Sequence, residues 1–249
     1  MNNNKKAIVV GATSGIGKEV AVLLANKGWS VGVAGRNETE LENLVKMDKN
    51  IVAAQKLDIT SHDSTEKLKL LIDKLGGVNL YFHSSGVGWQ NAELETEKEI
   101  ITVETNVVGF TRMVDFMWHY FETKSGSQAH IAVISSIAGT KGLGAAPSYS
   151  SSKRYINHYM ECLEQLKRIK GLSNIHLTDI RPGFVKTPLL DDGGNYPMQL
   201  DAKIVAKLIV EGIEKKKRIL TIDWKYRILV ALWKHIPTFV WIRLRIKSK

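Results

Sequence analysis

Cysteine is almost missing from this 249-residue chain, Cys162 being the only one. An intramolecular disulfide and a cysteine-built metal cluster are thereby excluded. No metal is expected, and Cys162 reads as a buried or half-buried helix residue. Long apolar runs are missing too, since none approaches the roughly 20 residues that span a bilayer. The opening MNNNKKAIVVGA enters a strand within a few residues and leaves no room for the apolar core of a signal peptide, so a cytoplasmic protein is expected. There is no low-complexity stretch or internal repeat. With 44% hydrophobic and 24% charged residues, the length suits one α/β domain with a full core. Acid is scarce in one region: from Lys215 to Lys249, eleven Lys and Arg face a single acid, Asp223. The first 214 residues are balanced, so the net charge of +10 lies in the tail.

What is present is an alternation. Apolar runs at 6–10, 29–34, 51–57, 79–83, 131–134, 175–180 and 218–222 read as strands. Helical patterns follow the first glycine-rich turn and recur near 38–46, 64–75, 97–121, 149–170 and 201–214. The order predicts a Rossmann-type α/β fold, a doubly wound parallel sheet of about seven strands with helices on both faces. Residues 1–223 are read as a single catalytic domain and 224–249 as a basic amphipathic extension. On a helical wheel, 224–236 gathers Tyr226, Leu229, Val230, Leu232, Trp233 and Ile236 on one side, with Arg227, Lys234 and His235 on the other. Pro237 ends that pattern, and FVWIRLRIKSK fits period 2 better than 3.6.

The segment SIAGTKGLGAAPSYSSSK, Ser136 to Lys153, carries the chemistry. Positions i and i+4 share a helix face, so a helix opening near Ser148 points the Tyr149 phenol and the Lys153 ammonium the same way. A phenol ordinarily holds its proton to a pKa of about 10. A fixed cation favours the phenolate, which makes Tyr149 an acid or base for a carbonyl or alcohol. Ser136, at the end of an apolar strand, can reach the same reacting oxygen. Asn106, in mid-helix within TNVVG, has poor helix propensity, so its side chain is expected to bond to backbone or water. His83, in HSSG at a strand end, is given no chemical role.

A hydride source is legible at the N-terminus. KAIVV followed by GATSGIG is a strand, a glycine-rich turn and a helix. Gly11 suits the tight turn, Gly15 admits a phosphate to the backbone, and Gly17 lets helix pack on strand. The helix N-terminus then faces a pyrophosphate. The second strand ends in Gly35-Arg36, where an NAD enzyme would carry an acid for the ribose hydroxyl. Arg36 instead suits a 2′-phosphate, which points to NADP(H). Asp58 lies past a strand's carboxyl end and either accepts from an adenine amine or caps the next turn. Pro182-Gly183 forces a turn beside the cofactor edge, and Asp191 to Tyr196 reads as a flexible substrate loop.

Together GATSGIG, LDIT, TNVVG, the SS pair ahead of YSSSK, and RPGFVKT resemble the short-chain dehydrogenase/reductase family from Ala7 to about Ile222, in family order and spacing. The resemblance implies Tyr149 as proton donor and Lys153 as the group that lowers its pKa and binds the nicotinamide ribose. It implies Ser136 as carbonyl orienter and Asn106 as holder of a water linking Lys153 to solvent. Cofactor contacts would come from Gly11, Ser14, Gly15, Ile16, Gly17, Arg36, Asp58, Gly86, Tyr149, Lys153, Pro182, Gly183, Val185 and Thr187. His83-Ser84-Ser85-Gly86 departs from the family's Asn-Asn-Ala-Gly. The tail is loosely similar to those of 3-ketosphinganine and hydroxysteroid reductases.

The expected function is NADPH-dependent reduction of a hydrophobic or lipid-like ketone, or oxidation of the corresponding alcohol. The tail is expected to rest on an anionic membrane with Trp224, Trp233 and Trp241 at the interface, or else to cover the pocket or meet a second subunit. The alternatives are a soluble 3-oxoacyl-(carrier protein) reductase and a catalytically silent NADPH-binding regulator. Trp118, Tyr155 and Tyr159 are candidate contacts of a homodimer or homotetramer. No motif supports a nucleic-acid partner.

Overall fold

The computed structural model describes residues 5–124, 128–190, 196 and 198–244. Strands β1 (Lys6–Val10), β2 (Ser30–Gly35), β3 (Ile51–Lys56), β4 (Leu80–His83), β5 (Ala129–Ile134), β6 (Ile175–Arg181) and β7 (Ile219–Thr221) form one sheet in the order 3-2-1-4-5-6-7. Every neighbouring pair is parallel. Parallel strands need covered faces, which is why β1, β4 and β5 are apolar nearly throughout. Helices α1 (Gly15–Asn26), α2 (Glu38–Met47) and α7 (Ala202–Glu214) bury one face through Val20, Leu24, Leu41, Leu44 and Ile209. Helices α3 (Ser64–Leu75), α5 (Phe110–Glu122) and α6 (Pro147–Ile169) bury the other through Leu68, Leu71, Phe110, Met117 and Ile156. The seven-stranded doubly wound sheet expected from the alternation is thus the observed architecture.

Helix ends follow local chemistry. Asn37 caps α2 by accepting from the Glu40 amide, and Asp201 caps α7 by accepting from Lys203 and Ile204. Gly76 closes α3 in the left-handed region at φ 67°, and Pro147 opens α6. The chain runs outward from β1 to β3 and then returns to β4 on β1's other side. The order therefore reverses between β1 and β4, and the crevice beyond their carboxyl ends is where such sheets bind ligands.

Several expectations change. The stretch 97–121 is not one α-helix: α4 (Thr96–Val103) and α5 are joined by a π-helical segment, Glu104–Gly109, that contains Asn106. Trp118 is 2% exposed within the α5–α6 core, so it is no subunit contact. Its stretch of sequence is apolar on more than one side, and the sheet takes the side that carries it. Cys162 is exposed on α6, because Ile156, Met160 and Leu163 take the buried face.

The tail is helical through α8 (Trp224–Lys234) and α9 (Thr238–Trp241), so the start of FVWIRLRIKSK is not of period 2, and residues 245–249 lie outside the described residues. Its inward side is Tyr226, Leu229, Val230 and Trp233, whereas Leu232 points out at 67% exposure. The indoles of Trp233 and Trp241 donate to Thr140 Oγ1 at 2.8 Å and to the Gly142 carbonyl at 2.6 Å. Of the three tail tryptophans only Trp224 therefore faces outward, at 62%. Of the expected substrate loop Asp191 to Tyr196, residues 191–195 lie outside the described residues.

Two buried histidines make the fold acid-sensitive. Burial holds His83 and His130 down to a pKa of about 3, against an ordinary value near 6.5. Each is neutral when folded and takes up a proton when unfolded, so their contribution is complete above pH 6.5 and is lost as pH falls from there toward 3. Thermal denaturation between pH 6.5 and 5 should show stability falling with acid. His130→Gln should flatten that slope by up to about 1.4 kcal/mol per pH unit.

Candidate active site

The crevice at the chain reversal is lined by turns from β1 and β4. Gly11 (φ 84°) and Gly15 (φ 52°) use backbone that side chains avoid. A Cβ on Gly17 would lie 2.0 Å from the Gly11 carbonyl oxygen, and one on Gly11 would lie 2.6 Å from the Ser85 amide. The β1 turn, the start of α1 and the β4 turn thus touch backbone to backbone. Ser14 is the N-cap of α1, but its side chain makes no capping bond, which leaves first-turn amides for an anion. Thr187 Cγ2 would lie 3.0 Å from a Cβ on Gly15, so the segment after β6 folds over the same turn. Gly35 packs on Thr13, and Arg36 beside it is exposed. Asp58 Oδ1 accepts from both the amide and the hydroxyl of Thr60, at 2.9 and 2.8 Å, so that oxygen caps the turn. Pro182 and Val185 are buried, and Gly183 lies against the ring of Tyr226. These uncapped amides and side-chain-free positions fit the pyrophosphate of a dinucleotide.

At the carboxyl end of β5 the chain delivers Ser136, and α6 carries Tyr149 and Lys153 over it. Ser136 Oγ accepts from the Ala138 amide at 3.0 Å and lies 3.4 Å from the Pro182 carbonyl. Lys153 is buried, donates to the Ile134 carbonyl at 3.2 Å, and places Nζ 5.7 Å from the centroid of the Tyr149 ring. Burial pulls Lys153 down to about 8, opposed by the carboxylate of Asp179. The Tyr149 phenol is pushed up by burial, with its hydrogen bond to Ser136 acting the other way. The expected lowering by Lys153 is therefore not what governs Tyr149 in the protein without ligand, and its acid form is the stable one at neutral pH.

Asn106 is buried in the π-helical segment. Its Oδ1 accepts from the Val87 amide at 2.9 Å, and its Nδ2 donates to the Val87 carbonyl at 2.6 Å and to Ser152 Oγ at 3.0 Å. The extra residue per turn turns an amide inward that a regular helix would place differently, and that amide ties the β4 loop to α6. His83 is packed: Tyr81 Oη lies 2.7 Å from its Nδ1, and Phe110 stands edge-on.

Several residues of this site were not singled out from sequence. A Cβ on Gly88 would lie 2.1 Å from the Tyr149 ring, and the Gly-Val-Gly pattern at 86–88 was a visible signal for that closeness. Glu99 accepts from Ser148 Oγ and from the Ser148 amide, and from Asn91 Nδ2 at 2.7 Å. Ser148 first, then Asn91, hold its carboxyl below the usual range. The Asn91 amide donates to the Ala145 carbonyl at 2.8 Å, so Glu99 and Asn91 together fix the start of α6. Gln90 reaches Tyr196 Oη at 2.9 Å, which joins the loop touching Tyr149 to the segment after β6. Asp179, with Ser135 and Asn157, lies buried behind Lys153. An acid inside the strand IHLTDIR was its only signal.

Comparisons with known proteins agree with this geometry. The family model for short chain dehydrogenases matches residues 5–195. An uncharacterised oxidoreductase of Myxococcus xanthus is 31% identical over 242 residues, covering 94% of this chain and 93% of that protein. One from Listeria monocytogenes is 32% identical over 196 residues, covering 76% and 77%. Among solved structures, a short-chain dehydrogenase/reductase from Burkholderia phymatum in complex with NAD aligns at TM-score 0.80 and 21% identity, covering 92% of each chain. A variant of actinorhodin polyketide ketoreductase with NADPH aligns at 0.76 and 24%, covering 89% of this chain and 97% of that one. ElxO with NADP bound aligns at 0.76 and 21%, covering 90% and 99%. The chain belongs to the short-chain dehydrogenase/reductase family and is an oxidoreductase of that fold.

The tight contact at Gly88 gives a direct test of the Tyr149 position. Gly88→Ala should displace the ring and lower kcat about 100-fold, the order of loss for a reacting group misplaced by an ångström. Cofactor affinity, followed by nicotinamide fluorescence, should stay near wild type.

Proposed function

We propose that the protein is an NADPH-dependent reductase of a hydrophobic or lipid-like ketone, able in reverse to oxidise the corresponding alcohol. The observation that carries this reading is the convergence of Ser136, Tyr149 and Lys153 beside the side-chain-free crevice at the β1–β4 reversal. The cofactor would lie along Gly11, Ser14, Gly15, Ile16, Gly17, Asp58, Gly86, Pro182, Gly183, Val185 and Thr187, and bound there it supplies hydride. The protein supplies orientation and the proton. Ser136 orients the carbonyl oxygen, and Tyr149, kept in its acid form by burial, protonates that oxygen as negative charge builds on it. Lys153 holds the ribose and stabilises the phenolate left behind. Asn106, already bonded to Val87 and Ser152, holds the water that reconnects Lys153 to solvent.

Arg36 supports NADPH, since no acid stands there to hold a ribose hydroxyl and its planar cation suits a phosphate. Two of the three structural neighbours named above hold NADPH or NADP, and one holds NAD. An apolar substrate is supported by the cluster of Ile137, Phe184, Leu200, Tyr226 and Trp233 next to the Ser136 turn. A homodimer or homotetramer, a cytoplasmic location and peripheral contact of 224–249 with an anionic membrane belong to the same reading. Among the described residues no helix is long and apolar enough to cross a membrane. The outward side of the tail carries Trp224, Ile228, Leu232, Phe239 and Ile242, flanked by Lys225, Arg227, Lys234 and Arg243, a pairing suited to an anionic interface.

NADPH oxidation against ketones of increasing chain length tests the reaction. Wild type should favour the longer ketones and Tyr149→Phe should be inactive on all of them; activity that survives in the variant removes the assigned acid. Arg36→Ala should raise the KM for NADPH roughly tenfold to a hundredfold, the worth of a charged hydrogen bond, and leave NADH unchanged. Vesicle cosedimentation tests the tail: binding to anionic but not neutral vesicles is expected, and Leu232→Ser should weaken it.

A further inference from the structure

Asp179 stands in the middle of β6, 3% exposed, among apolar neighbours. A carboxylate so placed is costly to desolvate unless cations and donors surround it, and here they do. Arg181 reaches Asp179 Oδ2 with Nε at 2.7 Å and with its terminal nitrogen at 2.6 Å. Ser135 Oγ donates to Oδ1. Asn157 Nδ2 lies 3.1 Å from Oδ2 and 2.7 Å from Ser135 Oγ.

Two of these partners lead to the reacting groups. Ser135 is the backbone neighbour of Ser136. Asn157 follows Lys153 by four residues, one turn along the same face of α6, and both are buried. The carboxylate thus bonds to both elements that carry the chemistry, from behind. The Thr140 side of the Ser136 turn is held by other bonds, from Thr140 to Ile137 and from Trp233 to Thr140.

Among the described residues, Asp179 is the anion that acts on Lys153. On β4, His83 is neutral. On α6, Tyr149 is in its acid form. In the π-helical segment Asn106 is uncharged, and on β6 Arg181 is a second cation. Burial works against the charge of Lys153 and Asp179 for it, while Arg181 is paired to the far side of that carboxylate.

We propose that Asp179 is a positioning residue: bonded to Asn157, one turn along α6 from Lys153, and to Ser135, next to Ser136, its buried carboxylate sets α6 and Ser136 in register for the reaction at Tyr149 and stands as the negative charge behind Lys153. Arg181 on its outer side sets how much of that carboxylate's field reaches Lys153. The proposal rests on the reading of Lys153 as the partner of Tyr149, but it concerns a charge that can be followed without turnover.

The test uses full-length protein labelled with ε-13C lysine, with the Lys153 resonance assigned by its loss in Lys153→Arg. In Asp179→Asn, which keeps size and most bonds, the Lys153 titration midpoint should fall by about one pH unit. The alkaline limb of kcat/KM should move down by the same amount. Arg181→Gln should move both the opposite way, because it frees the carboxylate that Arg181 now pairs. A Lys153 midpoint unchanged in both variants overturns the proposal, even if activity is lost, since a merely structural Asp179 would weaken folding without moving that titration. If Asp179→Asn does not fold, Arg181→Gln decides by the direction of its shift. If no ketone is reduced by wild type, the resonance still reports on Asp179 while the reductase reading fails separately.

Discussion

The distance between α6 and the end of β5 governs the site, because Tyr149 and Lys153 ride on one and Ser136 on the other. That distance is set where Gly139 meets the helix. A Cβ there would fall 2.4 Å from Asn157 Oδ1 and 2.5 Å from the Lys153 carbonyl carbon. Backbone approaches helix with no side chain between them, and close packing of this kind does not tolerate even one added carbon. Above the contact lie the phenol and the ammonium; below it runs the polar seam of Ser135, Asn157 and Asp179. Glu99 and Asn91 hold the start of the same helix from the opposite side. Tyr149 and Lys153 are thus held at both ends of a short span, the fixed geometry that the proposed proton transfer requires.

The crevice beside them follows from the strand order. With the chain turning back between β1 and β4, two turns rich in small residues meet at one point. Gly11, Gly17 and Ser85 pack backbone on backbone there. The Asn106 amide then joins the β4 turn to α6, so the glycine-lined crevice and the helix carrying Tyr149 and Lys153 form one connected body.

The C-terminal helices add a wall rather than a loose arm. Tyr226 lies on Gly183 and its hydroxyl accepts from the Phe184 amide at 3.1 Å, while Trp233 and Trp241 bond to the turn that follows Ser136. Lys141 returns a bond to the Ile236 carbonyl at 2.7 Å. One side of α8 packs on the turns after β5 and β6, and the other leaves Trp224, Ile228 and Leu232 in a row at four-residue spacing.

Much of this was legible in the chain as written. Strand and helix limits follow from apolar period and from local punctuation such as Asn37, Gly76 and Pro147, because each depends on neighbours a few residues away. The glycine turn, Ser136, Tyr149 and Lys153 were readable for the same reason, their spacing being a property of one turn or one helix. Other features were not. Which side of an apolar helix faces the sheet placed Trp118 in the core and turned Trp233 and Trp241 inward, and that choice depends on surfaces contributed by distant segments. The π-helical turn at Asn106 presents its amide to Val87 and Ser152, which come from separate segments of the chain. Asp179 was only an odd acid in an apolar strand until Ser135, Asn157 and Arg181 closed around it. The sequence by itself determined the order and kind of elements and the chemical groups at their ends, since local sterics and period encode these; tertiary structure decided which groups meet in the dry interior, since burial and pairing are made by residues far apart along the chain.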